Sequence, residues 1–164
     1  MPRSTGSAVL LKKILVPLDG SRLGESAVGY VERAADPSRT EIILLQVVAP
    51  VGVGKVIREG ESSAYRGHAL RRMRAERYLE TLRKRLGRRG LRARAVVRSG
   101  DPAEEILDCA AAERVTLIAM STHGRTGLRR VLFGSVAEAV FRKSSLPILL
   151  VRAGAGQGTA KKPS

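Results

Sequence analysis

Short aliphatic runs alternate with longer, more polar segments along this chain. The runs "ILVPL", "EIILLQVV", "VTLIAM" and "LPILLV" are almost unbroken in apolar character, whereas "LRARAVV" alternates apolar and polar positions. Unbroken apolar runs are typical of parallel strands with both faces covered by helices. Asp19 and Gly20 end the first run with a sharp turn. The pattern therefore predicts a buried parallel sheet.

The first two segments between these runs have helical spacing. Residues 21–35 place Ala27, Val31 and Ala34 on one face. Residues 62–89 form a much longer segment, whose predicted core face consists of Ala75, Leu79, Leu82 and Leu86. Apolar residues at such intervals lie on one side of a helix, so both segments are predicted to pack against the sheet.

The last two helices begin with capping signals. Asp101 is placed to cap the helix over residues 101–113, with Pro102 at its first position and Glu104 three residues after the cap. The final helix is predicted to begin at Ser135, with Glu138 completing a second capping box. The predicted order is β-α-β-α-β-α-β-α-β, which specifies a parallel sheet with helices on both faces.

Ligands of such folds bind beyond the carboxyl ends of the strands, where the strand order reverses. Three stretches follow strand ends: "PLDGS", the loop after "LLQVV", and "STHGRTGLRRVLFGS". The length of 164 residues is typical of a single domain. Because only 3% of the residues are aromatic, the core is expected to be aliphatic. Residues 11–152 are predicted to form this domain, between flexible tails at residues 1–10 and 153–164.

The formal net charge is +15, and residues 58–98 alone contain 14 basic and 4 acidic residues. This composition attracts polyanions non-specifically. A solvated helix face is the favoured interpretation, because only Tyr65 and Tyr78 interleave with the charges, too few for base stacking. A nucleic-acid surface stays open as the alternative.

The single cysteine, Cys109, excludes an intrachain disulfide and indicates a reducing compartment. Its helical position favours packing over reactivity. The first residues are too weakly apolar for a signal peptide, and no run approaches the roughly 20 apolar residues of a membrane span. We therefore expect a cytoplasmic protein without membrane association.

Several chemical signatures are absent from the sequence. It has no Walker phosphate loop, no H-E-x-x-H, no paired cysteines and no G-x-S-x-G elbow, so metalloprotease, zinc and hydrolase interpretations lack support. The segment "GVGKVI" follows a strand but has Ile57 where a dinucleotide fingerprint needs its third glycine. No residue is assigned a catalytic or metal-binding role.

The stretch from Gly124 to Ser135 permits two interpretations. Glycines at both ends allow backbone amides to approach an anion, and a helix begins at Ser135 with its positive end at the same place. Together these features form a phosphate cradle. Alternatively, the glycines only shape a turn and Ser135 only caps its helix, and spacing alone does not separate the two.

"ILVPLDGS", "LLQVV", "GDPAEEIL", "STHGRTGLRRVLFGS" and "LPILLV" together resemble the universal stress protein family over residues 12–152. Its nucleotide-binding members carry glycine, two residues, glycine, nine residues, then glycine with Ser or Thr. Here Gly124, nine residues and Gly134-Ser135 match this motif, while Ser121 occupies the first glycine position. Because serine is small enough to allow a close approach, we expect this replacement to leave nucleotide binding weaker or unchanged.

The resemblance also implies which residues meet the nucleoside. Pro17, Leu18 and Asp19 would lie against it, with Asp19 on the ribose or metal side, and Val47 would line the adenine pocket. For Asp19 the alternative is an Asx turn before the first helix. For Val47 and for Met120 the alternative is ordinary core packing.

The remaining implied residues border the ribose and phosphates. They are Met120, Ser121, His123 and Gly124, with the amides of Gly134, Ser135 and Val136 and the Ser135 hydroxyl on the phosphates. His123 has no orienting partner visible in the sequence, so a loop hydrogen bond is favoured over proton transfer.

The fold expected with these residues is a single Rossmann-like open sheet of five parallel strands in the order 3-2-1-4-5. The resemblance implies a stress-response protein that binds ATP or another adenine nucleotide at strands 1 and 4, accompanied by Mg²⁺, and acts as a sensor or signalling module. It further implies a homodimer through the last strand and at most slow ATP hydrolysis. A nucleotide-free partner-binding module and a nucleic-acid binder are the alternatives.

Overall fold

The computed structural model describes residues 11–50, 61–122 and 134–152. Strands and helices alternate throughout these ranges. The strands are β1 (Lys13–Leu18), β2 (Glu41–Val48), β3 (Arg92–Ser99), β4 (Leu117–Thr122) and β5 (Ile148–Arg152). The helices are α1 (Glu25–Ala34), α2 (Glu61–Arg88), α3 (Pro102–Ala112) and α4 (Ser135–Lys143). The predicted alternation is confirmed.

The five strands form one parallel sheet in the order β3-β2-β1-β4-β5, as predicted. The central strand, β1, pairs with β2 on one side, where Ile14 lies opposite Ile42, and with β4 on the other, where it lies opposite Leu117. The strand order therefore reverses between β1 and β4. The carboxyl ends of these two strands flank the crevice where such folds bind ligands.

Two aliphatic layers enclose the sheet. One joins α1 and α2 to the face that carries Val16 and Leu44, and the other joins α3 and α4 to the face that carries Leu15 and Leu45. The predicted face of α2 is confirmed: Ala75, Leu79, Leu82 and Leu86 are all buried. Because β1, β2 and β4 are covered on both sides, their side chains read as continuous apolar runs.

The first helix begins later than the periodicity predicts. Asp19 Oδ1 accepts a hydrogen bond from the Ser21 amide at 2.9 Å, and Ser21 Oγ accepts one from the Gly24 amide at 3.0 Å. These bonds hold residues 19–24 in turns, so α1 starts at Glu25. The predicted face is also corrected at one position, since Ala34 ends the helix and is exposed.

Asp101 caps α3 as predicted. Its side chain accepts hydrogen bonds from the amides of Ala103 and Glu104 at 3.0 and 3.1 Å, and Pro102 is the first helical residue. Within the described ranges Glu104 makes no return bond to Asp101, so the capping box is only half formed. No helix in these ranges is long and apolar enough to cross a bilayer.

The cap of α4 differs from the prediction. The N-cap residue is Gly134, and Ser135 is the first residue inside the helix. Gly134 has φ −68° and ψ 156°, an extended conformation open to any residue, so its backbone angles do not require glycine. The predicted capping box from Ser135 to Glu138 is therefore wrong, because Glu138 donates its amide to the Gly134 carbonyl instead.

Candidate functional site

A hollow of about 290 Å³ opens at the carboxyl ends of the central strands. It is bounded by the ends of β1, β2 and β4 and by the first turns of α3 and α4. Its lining residues are Pro17, Leu18, Asp19, Gly24, Leu45, Val47, Pro102, Ile106, Met120, Ser121, Gly134, Ser135, Val136 and Ala137. Small-molecule sites in proteins begin at roughly this size.

Most residues singled out from the sequence meet at this hollow, although they come from four separate stretches of the chain. The structure brings together Pro17, Leu18, Asp19, Val47, Met120, Ser121, Gly134, Ser135 and Val136. His123 and Gly124 lie outside the described residues. The hollow therefore brings together the residues predicted to contact the nucleoside and most of those predicted to contact the ribose and phosphates.

One wall of the hollow is apolar. Leu45 is fully buried in β2, Met120 is almost fully buried in β4, and Ile106 contributes from the first turns of α3. Met120 and Ile106 belong to the same core layer, against which Val47 is packed. Core packing and lining of the hollow are thus compatible roles for Val47 and Met120. Such a wall suits a flat apolar group that stacks on aliphatic side chains.

The opposite side of the hollow is the beginning of α4. The amides of Ser135, Val136 and Ala137 precede the first helical bond, and no hydrogen bond from them is found among the described residues. Gly134 provides no side chain to cap them. Such orphan amides and the positive helix end favour an anion at this position.

Two other helices also begin near the hollow, but their first amides are already engaged. The start of α3 carries its own carboxylate, because Asp101 accepts two amide bonds there. At α1 the amide of Ala27, the third helical residue, donates to Ser121 Oγ at 2.9 Å. This contrast leaves α4 as the helix end best suited to receive an external anion.

Asp19 has two roles in the structure. Its carboxylate forms the Asx turn with Ser21 that the alternative interpretation proposed, and it also borders the hollow. A Cβ atom on Gly24 would lie 2.6 Å from Asp19 Oδ1, which is closer than real contacts allow. The absence of a side chain at Gly24 therefore leaves the space that the carboxylate occupies.

Ser121, which replaces the first glycine of the family motif, is tied to α1. Its hydroxyl donates to the Gly24 carbonyl at 2.7 Å and accepts from the Ala27 amide at 2.9 Å. An N-cap side chain usually bonds the amide of the third helical residue. Since Gly24 has no such side chain, the hydroxyl of β4 performs this task from a distant part of the chain.

The sequence hypothesis missed five lining residues: Gly24, Leu45, Pro102, Ile106 and Ala137. Strand periodicity signals Leu45, which lies two positions before Val47 and so on the same face. Pro102 and Ile106 lie four residues apart on α3 and so on the same face of that helix. Gly24 has no local signal, because its role depends on the position of Asp19.

Cys109 packs in the core beneath α3 and is fully buried. Burial raises the pKa of its thiol, so it stays protonated near neutral pH. The packing interpretation of Cys109 is therefore confirmed. No cluster of three or more His, Cys, Asp or Glu side chains suited to a metal occurs in the part of the chain that the structure describes.

The open parallel sheet, with a ligand-sized hollow where the strand order reverses, defines a doubly wound α/β protein. The model of the universal stress protein family matches residues 11–152. The chain belongs to this family.

Relatives extend over nearly the whole chain. Universal stress protein MJ0577 of Methanocaldococcus jannaschii is 31% identical over 160 residues, which cover 88% of this chain and 97% of that protein. A solved structure of MJ0577 has a TM-score of 0.74 at 32% identity and covers 95% of this chain and 100% of that one. The family and the fold therefore rest on independent comparisons.

Two further solved structures contain nucleotides. A universal stress protein in complex with cAMP has a TM-score of 0.61 at 20% identity and covers 88% of this chain and 98% of that one. The Archaeoglobus fulgidus protein in complex with dAMP has a TM-score of 0.56 at 16% identity, with coverages of 87% and 98%. At these identities the likeness establishes the shared fold.

Proposed function

We propose that this universal stress protein binds ATP or a related adenine nucleotide in the hollow at β1 and β4 and acts as a nucleotide-dependent sensor or signalling module. The observation that carries the proposal is the start of α4, which has no side-chain cap among the described residues and lies beside an apolar wall. A nucleotide has the matching combination of a flat base and an anionic tail.

The base would stack against Val47, Met120 and Ile106, and the phosphates would accept hydrogen bonds from the amides of Ser135 and Val136. Hydrogen bonds to charged groups contribute about 1.5–3 kcal/mol each, and a helix terminus contributes about 0.3–2 kcal/mol. Several such contacts reach the roughly 8 kcal/mol of micromolar affinity. Asp19 would meet the ribose or the Mg²⁺ that accompanies the phosphates.

The cAMP and dAMP complexes of proteins with this fold support an adenine nucleotide as the ligand class. The choice of ATP among these nucleotides rests on the match of Gly134-Ser135 to the family's motif. We propose that the bound nucleotide is the signal and that hydrolysis is slow at most. The buried thiol of Cys109 suits the cytoplasm, where we propose that the protein works.

Thermal melts with increasing Mg-ATP test the proposal. At a hundredfold excess of ATP over its Kd, binding adds about 2.7 kcal/mol to the free energy of unfolding, so Tm rises with concentration. The same melts with AMP and with cAMP show how much each phosphate arrangement contributes to the rise in Tm. No shift at millimolar concentrations of any of these nucleotides would favour a nucleotide-free module that acts through a partner protein.

Gly134→Val is the matching substitution. Its side chain stands before the α4 amides, so we expect the ATP-dependent rise of Tm to disappear while the apo protein still folds. Gly87→Val is the control, because a Cβ at Gly87 meets nothing within 4 Å and lies away from the hollow. Retained ATP binding in the Gly134 variant would show that the phosphates are bound elsewhere.

A further inference from the structure

A second hollow, of about 380 Å³, lies at the end of β2 on the sheet face that carries α2. It is lined by Gly20, Gln46, Val47, Val48, Ala49, Arg71, Arg74, Ala75 and Tyr78. Only Val47 also lines the nucleotide hollow. The two hollows therefore use almost entirely different side chains.

Arg71 and Arg74 give the second hollow its charge. They lie nearly one helical turn apart on α2, and neither has a carboxylate partner among the described residues. Three arginines of this helix, Arg72, Arg83 and Arg85, each form an ion pair with a glutamate, whereas Arg66, Arg77 and Arg88 also have none among the described residues but do not line the hollow. No acidic residue is among those found to line this hollow. It therefore presents two guanidinium groups, which match phosphate oxygens in geometry and charge.

Two buried polar atoms belong to the same lining. Gln46 Oε1 has no hydrogen-bond partner in the described ranges, and the Tyr78 hydroxyl makes no hydrogen bond of good geometry there, although the Glu25 carboxylate lies close to it. Burial, together with the nearby carboxylates of Glu25 and Asp19, raises the pKa of Tyr78, so its hydroxyl keeps its proton. The Glu25 carboxylate itself is engaged by Arg85 at 3.2 Å. Both side chains line the hollow and are only partly buried, so they are within reach of a polar ligand there.

We propose that the second hollow binds a phosphate monoester of a small hydroxylated molecule, of the sugar phosphate class. Arg71 and Arg74 hold the phosphate, while the Gln46 amide and the Tyr78 hydroxyl bind hydroxyl groups of the ligand. An inorganic anion alone would leave the two buried polar atoms unpaired. This site does not depend on nucleotide binding at β1 and β4, because its polar side chains are its own.

Calorimetric titration with ribose 5-phosphate tests the proposal on the full chain. Replacing both Arg71 and Arg74 by Ser removes the phosphate contacts, and we expect the Kd to rise by at least about tenfold. The matched control replaces Arg77 and Arg88 of the same helix by Ser. It removes the same charge outside the hollow, so the Kd is expected to stay within the experimental error.

A third variant separates the hydroxyl contacts from the phosphate contacts. Tyr78→Phe keeps the ring but removes the hydroxyl. We expect it to raise the Kd of ribose 5-phosphate and to leave the Kd of inorganic phosphate unchanged. Equal losses for the two ligands would contradict the assignment of the hydroxyl. Thermal melts of every variant verify that it folds.

Two results would overturn the site as a whole. One is ribose 5-phosphate binding that survives the substitution of Arg71 and Arg74, or that falls equally in the Arg77 and Arg88 control. The other is obtained with a single-stranded RNA oligonucleotide. If both double variants lose RNA binding alike and the parent does not bind ribose 5-phosphate, these arginines form an extended nucleic-acid surface instead.

Discussion

The hydroxyl of Ser121 links β4 to the start of α1 through its bonds to the Gly24 carbonyl and the Ala27 amide. Ser121→Ala removes both bonds and keeps the Cβ atom. We expect a loss of about 1 kcal/mol, the usual effect of losing a helix cap, and a Tm lower by about 2–4 °C in a domain of this size.

The ATP affinity of the same variant separates two interpretations of Ser121. If the hydroxyl is mainly a cap, Ser121→Ala lowers the Tm but leaves the Kd of ATP nearly unchanged. The control Ser145→Ala, at an exposed surface position, changes neither quantity. If Ser121→Ala leaves Tm unchanged but abolishes the ATP-dependent shift, the hydroxyl instead serves the nucleotide directly.

Replacing glycine by alanine is expected to have opposite effects on stability at Gly24 and at Gly87. A Cβ at Gly24 would lie 2.6 Å from Asp19 Oδ1, whereas one at Gly87 meets nothing within 4 Å. Gly24→Ala should destabilise by about 1–3 kcal/mol through overpacking and weaken nucleotide binding by moving Asp19. Gly87→Ala should stabilise the α2 helix by about 0.5–1 kcal/mol. Denaturant unfolding measures both, and equal signs would contradict the contact at Asp19.

At the level of the residue, the sequence predicted which side chains gather at the hollow better than what each one does there. The resemblance supplied Pro17, Asp19 and Ser135, and all three line the hollow. The bonds of Ser121 were beyond prediction because its partners are 94 and 97 residues away. Capping rules describe a helix and its own flanking residues, so they do not anticipate a cap supplied by a strand.

Charged side chains connect the amino ends of the strands on the side away from the hollow. Glu41 of β2 pairs with Lys13 of β1 at 3.3 Å and with Arg94 of β3 at 2.9 Å. Burial raises the pKa of Glu41, but the hydrogen bonds from Arg94 and Lys13 outweigh it, so the net shift is downward. The ionised form is thus favoured in the folded protein.

This lowered pKa predicts how stability depends on acidity. Glu41 contributes its full stabilisation above the ordinary carboxyl pKa of 4.5, and the contribution is lost as the pH falls through the lower folded-state value. Glu41→Gln should therefore lower stability at pH 7 and flatten its decline below about pH 4.5. Glu76→Gln, on the exposed face of α2, is the control. Parallel acid profiles for wild type and Glu41→Gln would contradict the assignment.

The elements themselves were largely predictable because their signals are local. Continuous aliphatic runs marked the strands, and Asp101 with Pro102 marked the start of α3. The start of α1 was predicted too early, since helical spacing persists through residues that Asp19 and Ser21 hold in turns. Element boundaries depend on such side-chain bonds, which periodicity does not contain.

The whole molecule has two sheet edges that differ in composition. The β3 edge is rich in arginine, and Arg94 is held in ion pairs with Glu41 and Glu113. The β5 edge has half-buried aliphatic side chains, and in the described ranges β5 pairs only with β4. An apolar edge with free backbone groups favours association with another strand. We therefore propose, with the family resemblance, that β5 forms a homodimer interface.

Matched substitutions on the two edges test this assembly. Leu149→Lys on β5 places a charge in the proposed interface and should convert the dimer to a 17.6 kDa monomer in sedimentation velocity. Val97→Lys makes the same change at a half-buried position of the opposite edge strand and should leave the dimer intact. Circular dichroism confirms that both variants fold. A parent chain that stays monomeric at high concentration, or a Leu149 variant as dimeric as the parent, would show that β5 ends the sheet without a partner.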